Sequence, residues 1–322
     1  MRRGGPTRQQ VVLRRRVAAG ALALAALTIG LIAGGGRGGA ESSAGASANS
    51  PATAPPELPG GGREIFPDRL VVGFYGAPQD EALGALGIGT PAEAARQLER
   101  QAEPYETASR PVLPVFELLA TVANASPGED GLYRTRQDPA VVRRYLDQAR
   151  ASGALLILDI QPGRADFMSE VRALEEYLRE PDVSLALDPE WHVGPGETPG
   201  DTLGSVDARD VNRVGEYLSE LVERYDLPEK LLVVHQFTID MIEGRDQLTD
   251  HPGVELTLNV DGFGGQDVKV AKYKEFTDLA ATQDAVPERP NGFKLFYEED
   301  TGLMSPREVM RLKPQPDLVV YE

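Results

Sequence analysis

The chain has 322 residues, with 33 Lys and Arg against 50 Asp and Glu, a formal net charge of −17 and no cysteine. That charge repels nucleic acid and anionic lipid, which argues against a polyanion-binding role. The missing thiols exclude disulfides and a lipidated-cysteine anchor.

Arg2, Arg3, Arg8, Arg14, Arg15 and Arg16 precede an Ala/Leu/Ile/Gly run from Val17 to Ala33. A basic flank followed by about 17 apolar residues is the pattern of an export signal peptide or an N-terminal membrane anchor. Residues 1–36 are therefore expected to place the rest of the chain outside the cytoplasmic membrane, secreted or anchored on its outer face. Residues 37–63, rich in Gly, Ala, Ser and Pro, read as a disordered linker. The stretch 1–63 holds eight Arg and two Glu, so 64–322 carries 25 basic against 48 acidic residues, a net of −23. Such a charge keeps an exported protein soluble and would also suit a cationic partner.

From Ile65 onward, short apolar runs alternate with helical patterns. The predicted strands are Leu70–Tyr75, Val112–Phe116, Leu155–Ile160, Ser184–Asp188, Leu231–Phe237, Val254–Val260, Phe293–Tyr297 and Leu318–Tyr321. The predicted helices are Pro91–Glu103, Pro139–Ala151, Asp166–Arg179, Ala208–Tyr225, Ile239–Gln247, Val268–Leu279 and Pro306–Leu312. Pro91, Pro139 and Pro306 suit a first helical turn, with Thr90, Asp138 and Ser305 as N-caps. Eight strands in alternation with helices predict an α/β fold over 64–322, a TIM-type (β/α)8 barrel that lacks the last helix. An open doubly wound sheet is the alternative, but Gly76-Ala77-Pro78-Gln79-Asp80 after the first strand has no phosphate-binding glycine pattern.

In such barrels the working face lies at the carboxyl ends of the strands. Here the third strand ends Asp159-Ile160-Gln161, the fifth contains His235, the sixth ends in Asp261 and the seventh runs into Glu298-Glu299-Asp300; the second contributes Glu117 and the eighth ends in Glu322. The fourth ends Asp188-Pro189-Glu190-Trp191-His192. Alternation along the strand puts Asp188 and Glu190 on one side with Cα atoms roughly 6.5–7 Å apart. Two such acids acquire unequal proton affinities, the condition for acid/base chemistry. Trp191, the single tryptophan, is a candidate sugar platform or a core residue.

The segment Leu185-Ala186-Leu187-Asp188-Pro189-Glu190 resembles the Asp-x-Glu signature of secreted family 25 muramidases and, more loosely, the strand-four motif of family 18 chitinases. The likeness covers this segment and the general barrel layout. It implies Glu190 as proton donor and Asp188 as assisting carboxylate. The first strand lacks the acid that the muramidases carry near its end. A second glycosidase layout would pair Glu190 with Glu298 or Glu299.

The expectation is an exported barrel of glycoside-hydrolase type acting on an extracellular or cell-wall glycan. Glu190 and Asp188 are its catalytic pair, and Asp159, Gln161, Trp191, His192, His235, Asp261 and Glu298 line its cleft. No cofactor and no metal are expected. A metal-dependent hydrolase using His192, His235, Asp159, Asp188, Glu190 and Asp261 is a rival. A non-catalytic glycan-binding barrel is another.

Overall fold

The computed structural model describes residues 54–282 and 289–322. The expected export segment, Val17–Ala33 included, lies outside the described residues. Within them no helix is long and apolar enough to cross a membrane.

Eight parallel strands form a closed barrel: β1 (Leu70–Gly76), β2 (Val112–Ala123), β3 (Leu155–Ile160), β4 (Val183–Leu187), β5 (Lys230–Gln236), β6 (Val254–Val260), β7 (Asn291–Leu295) and β8 (Leu318–Tyr321). Each matches one of the eight predicted runs. Neighbours in sequence are neighbours in space, β8 pairs with β1 through Val71↔Leu318, and β1 pairs with β2 through Leu70↔Val112, which closes the ring. The helices are α1 (Pro91–Ala102), α2 (Pro139–Ala151), α3 (Phe167–Ala173), α4 (Glu175–Leu178), α5 (Ala208–Tyr225), α6 (Gln266–Thr282) and α7 (Pro306–Val309). Thr90 and Glu93 form the reciprocal capping box of α1, and the Asp138 carboxylate accepts from Ala140 N at the start of α2. These contacts satisfy amides that the first turn leaves without partners.

Three local predictions are corrected. The helix expected over 239–247 is instead a two-residue strand, Ile242–Glu243, paired in parallel with Val206–Asp207, and a 3-10 turn at Arg245–Gln247. Gly244, at φ 67°, breaks the helical path between them. The helix expected over 166–179 is interrupted at Leu174, which separates α3 from α4. Strand β2 runs past Phe116 to Ala123, and its end pairs antiparallel with Arg134–Arg136 outside the barrel. Glu170 of α3, fully buried, accepts hydrogen bonds from Arg134 and Arg136 and pins this hairpin down.

Alternation along the strands divides the apolar residues into two layers. Leu70, Val72 and Phe74 of β1 face the helices, while Val71 and Tyr75 face inward with Val115, Ile157, Ala186, Val233 and Val320. The interior is tight at Gly73, where an added Cβ would lie 2.3 Å from Val115 Cγ2. The amino end of the barrel is closed by the segment before β1. Leu58 and Ile65 belong to the inner cluster, Ile65 N donates to the Glu229 carboxylate at 2.6 Å, and Arg63 binds the Leu227 carbonyl and the Asp226 carboxylate. Residues 54–63 fall within the stretch read as linker, and the packed structure includes it from Leu58.

Because Ile65 is fully buried in this floor, Ile65→Ala is expected to destabilise the barrel by about 2–5 kcal/mol. Urea denaturation followed by circular dichroism measures it, and an unchanged midpoint would show that the floor adds nothing to stability.

Candidate active site at the carboxyl end of the barrel

The inward-facing positions change character at one level. Val115, Ile157, Ala186, Val233 and Val320 are each followed two residues later by Glu117, Asp159, Asp188, His235 and Glu322. The other three strands supply Tyr75, Asp261 and Lys294 at the same end. All eight strands thus send a polar side chain into the barrel mouth, and all eight except Glu322 are at most 3 % exposed.

His235 occupies the middle of this ring. Its Nε2 donates to Glu117 Oε1 at 2.7 Å and lies 3.3 Å from Asp159 Oδ2, and its Nδ1 donates to Asp261 Oδ2 at 3.2 Å. Glu117 and His235 stand on β2 and β5, which are not neighbours, so their contact crosses the interior. Lys294 Nζ lies 2.6 Å from Glu322 Oε2 and 3.4 Å from Asp261 Oδ2, and sits 3.7 Å from the centroid of the Tyr75 ring. Gly262 N donates to the other Asp261 oxygen at 2.5 Å. Gln161 ties the ring to Asp188: its amide NH2 donates to Tyr75 Oη at 3.0 Å and Asp188 Oδ2 at 3.4 Å, and its oxygen accepts from Ala123 N.

Burial makes these charges interact strongly. Desolvation opposes a charge on His235, yet Glu117, with Asp159 and Asp261, overcomes it against the field of Lys294 and holds the imidazolium well above its usual range. Lys294 is likewise opposed by burial, but Asp261, Glu322, Asp188 and Glu117 keep it an ammonium ion. Burial pushes the Tyr75 phenol up, with Asp159 and Asp188 adding to it. Asp159 is raised chiefly by burial, and the contacts from His235 offset part of that. Asp188 is raised by burial to about 8; His235 and Lys294 oppose the shift while Asp159 and Glu190 support it. Asp188 therefore keeps a proton at neutral pH.

Of the residues predicted for the site, the fold brings together Asp159, Gln161, Asp188, His235 and Asp261. Glu190 is buried next to them by a different route from the one expected. Strand β4 ends at Leu187, and Pro189–Trp191 form a 3-10 turn, so strand alternation does not relate Asp188 to Glu190. Their proximity is expressed in the field of Glu190 on Asp188. Trp191 is 8 % exposed and packs under the 193–204 loop, with the Cβ position of Gly200 3.6 Å from its ring. His192 turns away: its Nδ1 bonds the Ser205 carbonyl at 2.7 Å and its ring packs on Phe167. Glu298 is exposed and lines a separate cavity of 470 Å³ with Phe74, Ile88, Tyr297 and Glu322. A larger cavity of 860 Å³ lies against α1 and α2 outside the barrel, and none of the eight mouth residues lines it.

Tyr75 and Lys294 are site residues that the sequence reading did not select, and Glu117 and Glu322 appeared there only as strand ends. The available signal was the step of two beyond the last inward position of each strand. Glu117, Asp159 and His235 also present one ligand atom each within 4.8 Å of one another, an arrangement able to hold a metal ion.

No protein-family model matches this chain, and no curated protein matches it.

Asp188 provides a thermodynamic check of the site. Its folded pKa of about 8 stands above the ordinary unfolded value of about 3.9, so the folded state holds an extra proton between these limits and loses stability as pH rises through them. Asp188→Asn escapes this loss. Relative to the wild type it is expected to gain more than about 1 kcal/mol between pH 4 and pH 8, read from urea midpoints; parallel pH profiles for the two proteins would refute the protonated carboxyl.

Proposed function

We propose that this protein is an exported hydrolase that cleaves an extracellular or wall glycan by carboxylate acid/base chemistry at the barrel mouth. The observation that carries this reading is Asp188, a buried carboxyl group that holds its proton to about pH 8 beside a second carboxyl, Glu190. Glycoside hydrolysis requires a proton for the leaving oxygen and a second group that stabilises or attacks the sugar cation, or activates water. The electrostatics favour Asp188 as proton donor and Glu190 as its partner, the reverse of the roles that the likeness to family 25 muramidases implies. Gln161 orients the Asp188 carboxyl, and the Lys294–Asp261–His235 chain sets the potential around it. The resemblance at Leu185–Glu190 and the expected export segment favour a glycan outside the membrane, secreted or anchored protein alike.

The test is hydrolysis of peptidoglycan, chitin oligomers, cellulose and starch by the purified chain, compared with Asp188→Asn and Glu190→Gln. Both substitutions are expected to lower kcat by about 100-fold or more. Wild-type kcat/KM is expected to fall as pH rises through about 8, where Asp188 loses its proton. Cleavage that survives both substitutions would place the chemistry elsewhere. Binding of a glycan without any cleavage would leave a carbohydrate-binding barrel as the better account.

A further inference from the structure

We propose that Glu117, Asp159 and His235 form a binding site for one divalent transition-metal ion at the base of the barrel mouth. This goes beyond the hydrolase reading and does not depend on which bond, if any, the mouth breaks.

Three observations converge. The first is geometric. One oxygen of each carboxylate and a ring nitrogen of His235 lie within 4.8 Å of one another; the 3.3 Å from Nε2 to Asp159 is close to the donor-to-donor edge of a tetrahedral site with bonds of about 2.0–2.2 Å, and the 2.7 Å to Glu117 is the hydrogen bond that the ion would replace. The ligands come from β2, β3 and β5, so the barrel wall itself fixes their spacing.

The second is the state of the carboxylates. Asp159 is completely buried, with His235 Nε2 3.3 Å from its Oδ2 and no donor on its Oδ1; Glu117 Oε2 is equally buried and without a donor. Buried carboxylate oxygens without donors are strongly unfavourable unless a cation satisfies them. The open oxygens belong to two of the three residues whose ligand atoms cluster.

The third lies behind the histidine. A metal-bound imidazole commonly presents its other nitrogen to a carboxylate, which fixes the ring and strengthens the ligand. Asp261 occupies that position on Nδ1, and it is held in turn by Gly262 N and Lys294. Binding through Nε2 requires that nitrogen to give up its proton, so the ion replaces the hydrogen bond to Glu117 and a proton leaves for solvent. One imidazole with two carboxylates suits Zn²⁺ or Mn²⁺, whereas Ca²⁺ seeks six to eight oxygen ligands.

The experiment uses the full chain without a histidine tag, stripped with chelator and titrated by calorimetry with Zn²⁺, Mn²⁺ and Ca²⁺ separately, with elemental analysis of the product. One Zn²⁺ or Mn²⁺ per chain is expected, with proton release and with Ca²⁺ much weaker. His235→Gln and Asp159→Asn are expected to weaken binding by about 100-fold or more, and Asp261→Asn by about 10–100-fold. The chain has three histidines, so His192→Gln and His251→Gln serve as controls that leave the affinity unchanged. X-ray absorption of the Zn²⁺-loaded wild type, which needs no variant to fold, should show a single imidazole in an otherwise oxygen shell. Failure to take up Zn²⁺ or Mn²⁺ stoichiometrically, affinity indifferent to His235→Gln in a folded variant, or a shell without imidazole would each overturn the proposal.

Discussion

The imidazole of His235, set between carboxylates carried by three other strands, is the contact around which the barrel mouth is organised. Six acids (Glu117, Asp159, Asp188, Glu190, Asp261 and Glu322) gather around two buried cationic side chains, His235 and Lys294. In a medium that screens charge poorly, this imbalance is answered by protons and by the few available cations. Lys294 bridges Asp261 and Glu322, His235 holds both its ring protons, and Asp188 stays neutral. Asp159 and Asp188 are both raised chiefly by burial, and the cations offset part of each shift.

The frame makes that crowding tolerable. Strand alternation delivers a polar group from every strand to the mouth, beyond the inward-facing Val115, Ile157, Ala186 and Val233. Leu58 and Ile65 seal the opposite end. Around the rim, Lys269 reaches the Gly262 and Lys294 carbonyls and pairs with Asp300, and Lys272 binds the Phe237 and Asp261 carbonyls over the Phe237 ring. These lysines hold the turns after β5, β6 and β7 against the barrel. Charge from the rim therefore secures the backbone, while charge in the ring tunes the side chains.

Much of this was legible in the amino-acid order. The eight strands stood out because their apolar runs are bounded by loop residues, and Asp159, Asp188, His235 and Asp261 were visible as polar residues at the carboxyl ends of those runs. Lys294 was not, since a lysine inside Gly-Phe-Lys-Leu-Phe gives no hint that its charge is matched across strands. Glu322 was noted at the end of the eighth strand, but nothing in the sequence pairs it with Lys294. Glu190, Trp191 and His192 were read as the end of the fourth strand, but the direction of each depends on the 3-10 geometry after Asp188, which residue alternation does not describe. The region 239–247 misled because its helix-like spacing ignores Gly244 and the edge that Val206–Asp207 offers to Ile242.

Placing the charged ring on strand positions has an evolutionary consequence. Its members are held by the hydrogen-bonded wall, whereas the segments that frame the opening, such as the 193–204 stretch over Trp191, are loops. On the proposed reading, insertions or substitutions in those loops would change which molecules gain entry while the strand-borne groups beneath keep their places. On that reading the chemistry and the choice of guest would be inherited on separate parts of the chain, so that descendants of this barrel could diversify in what they admit while keeping one electrostatic interior.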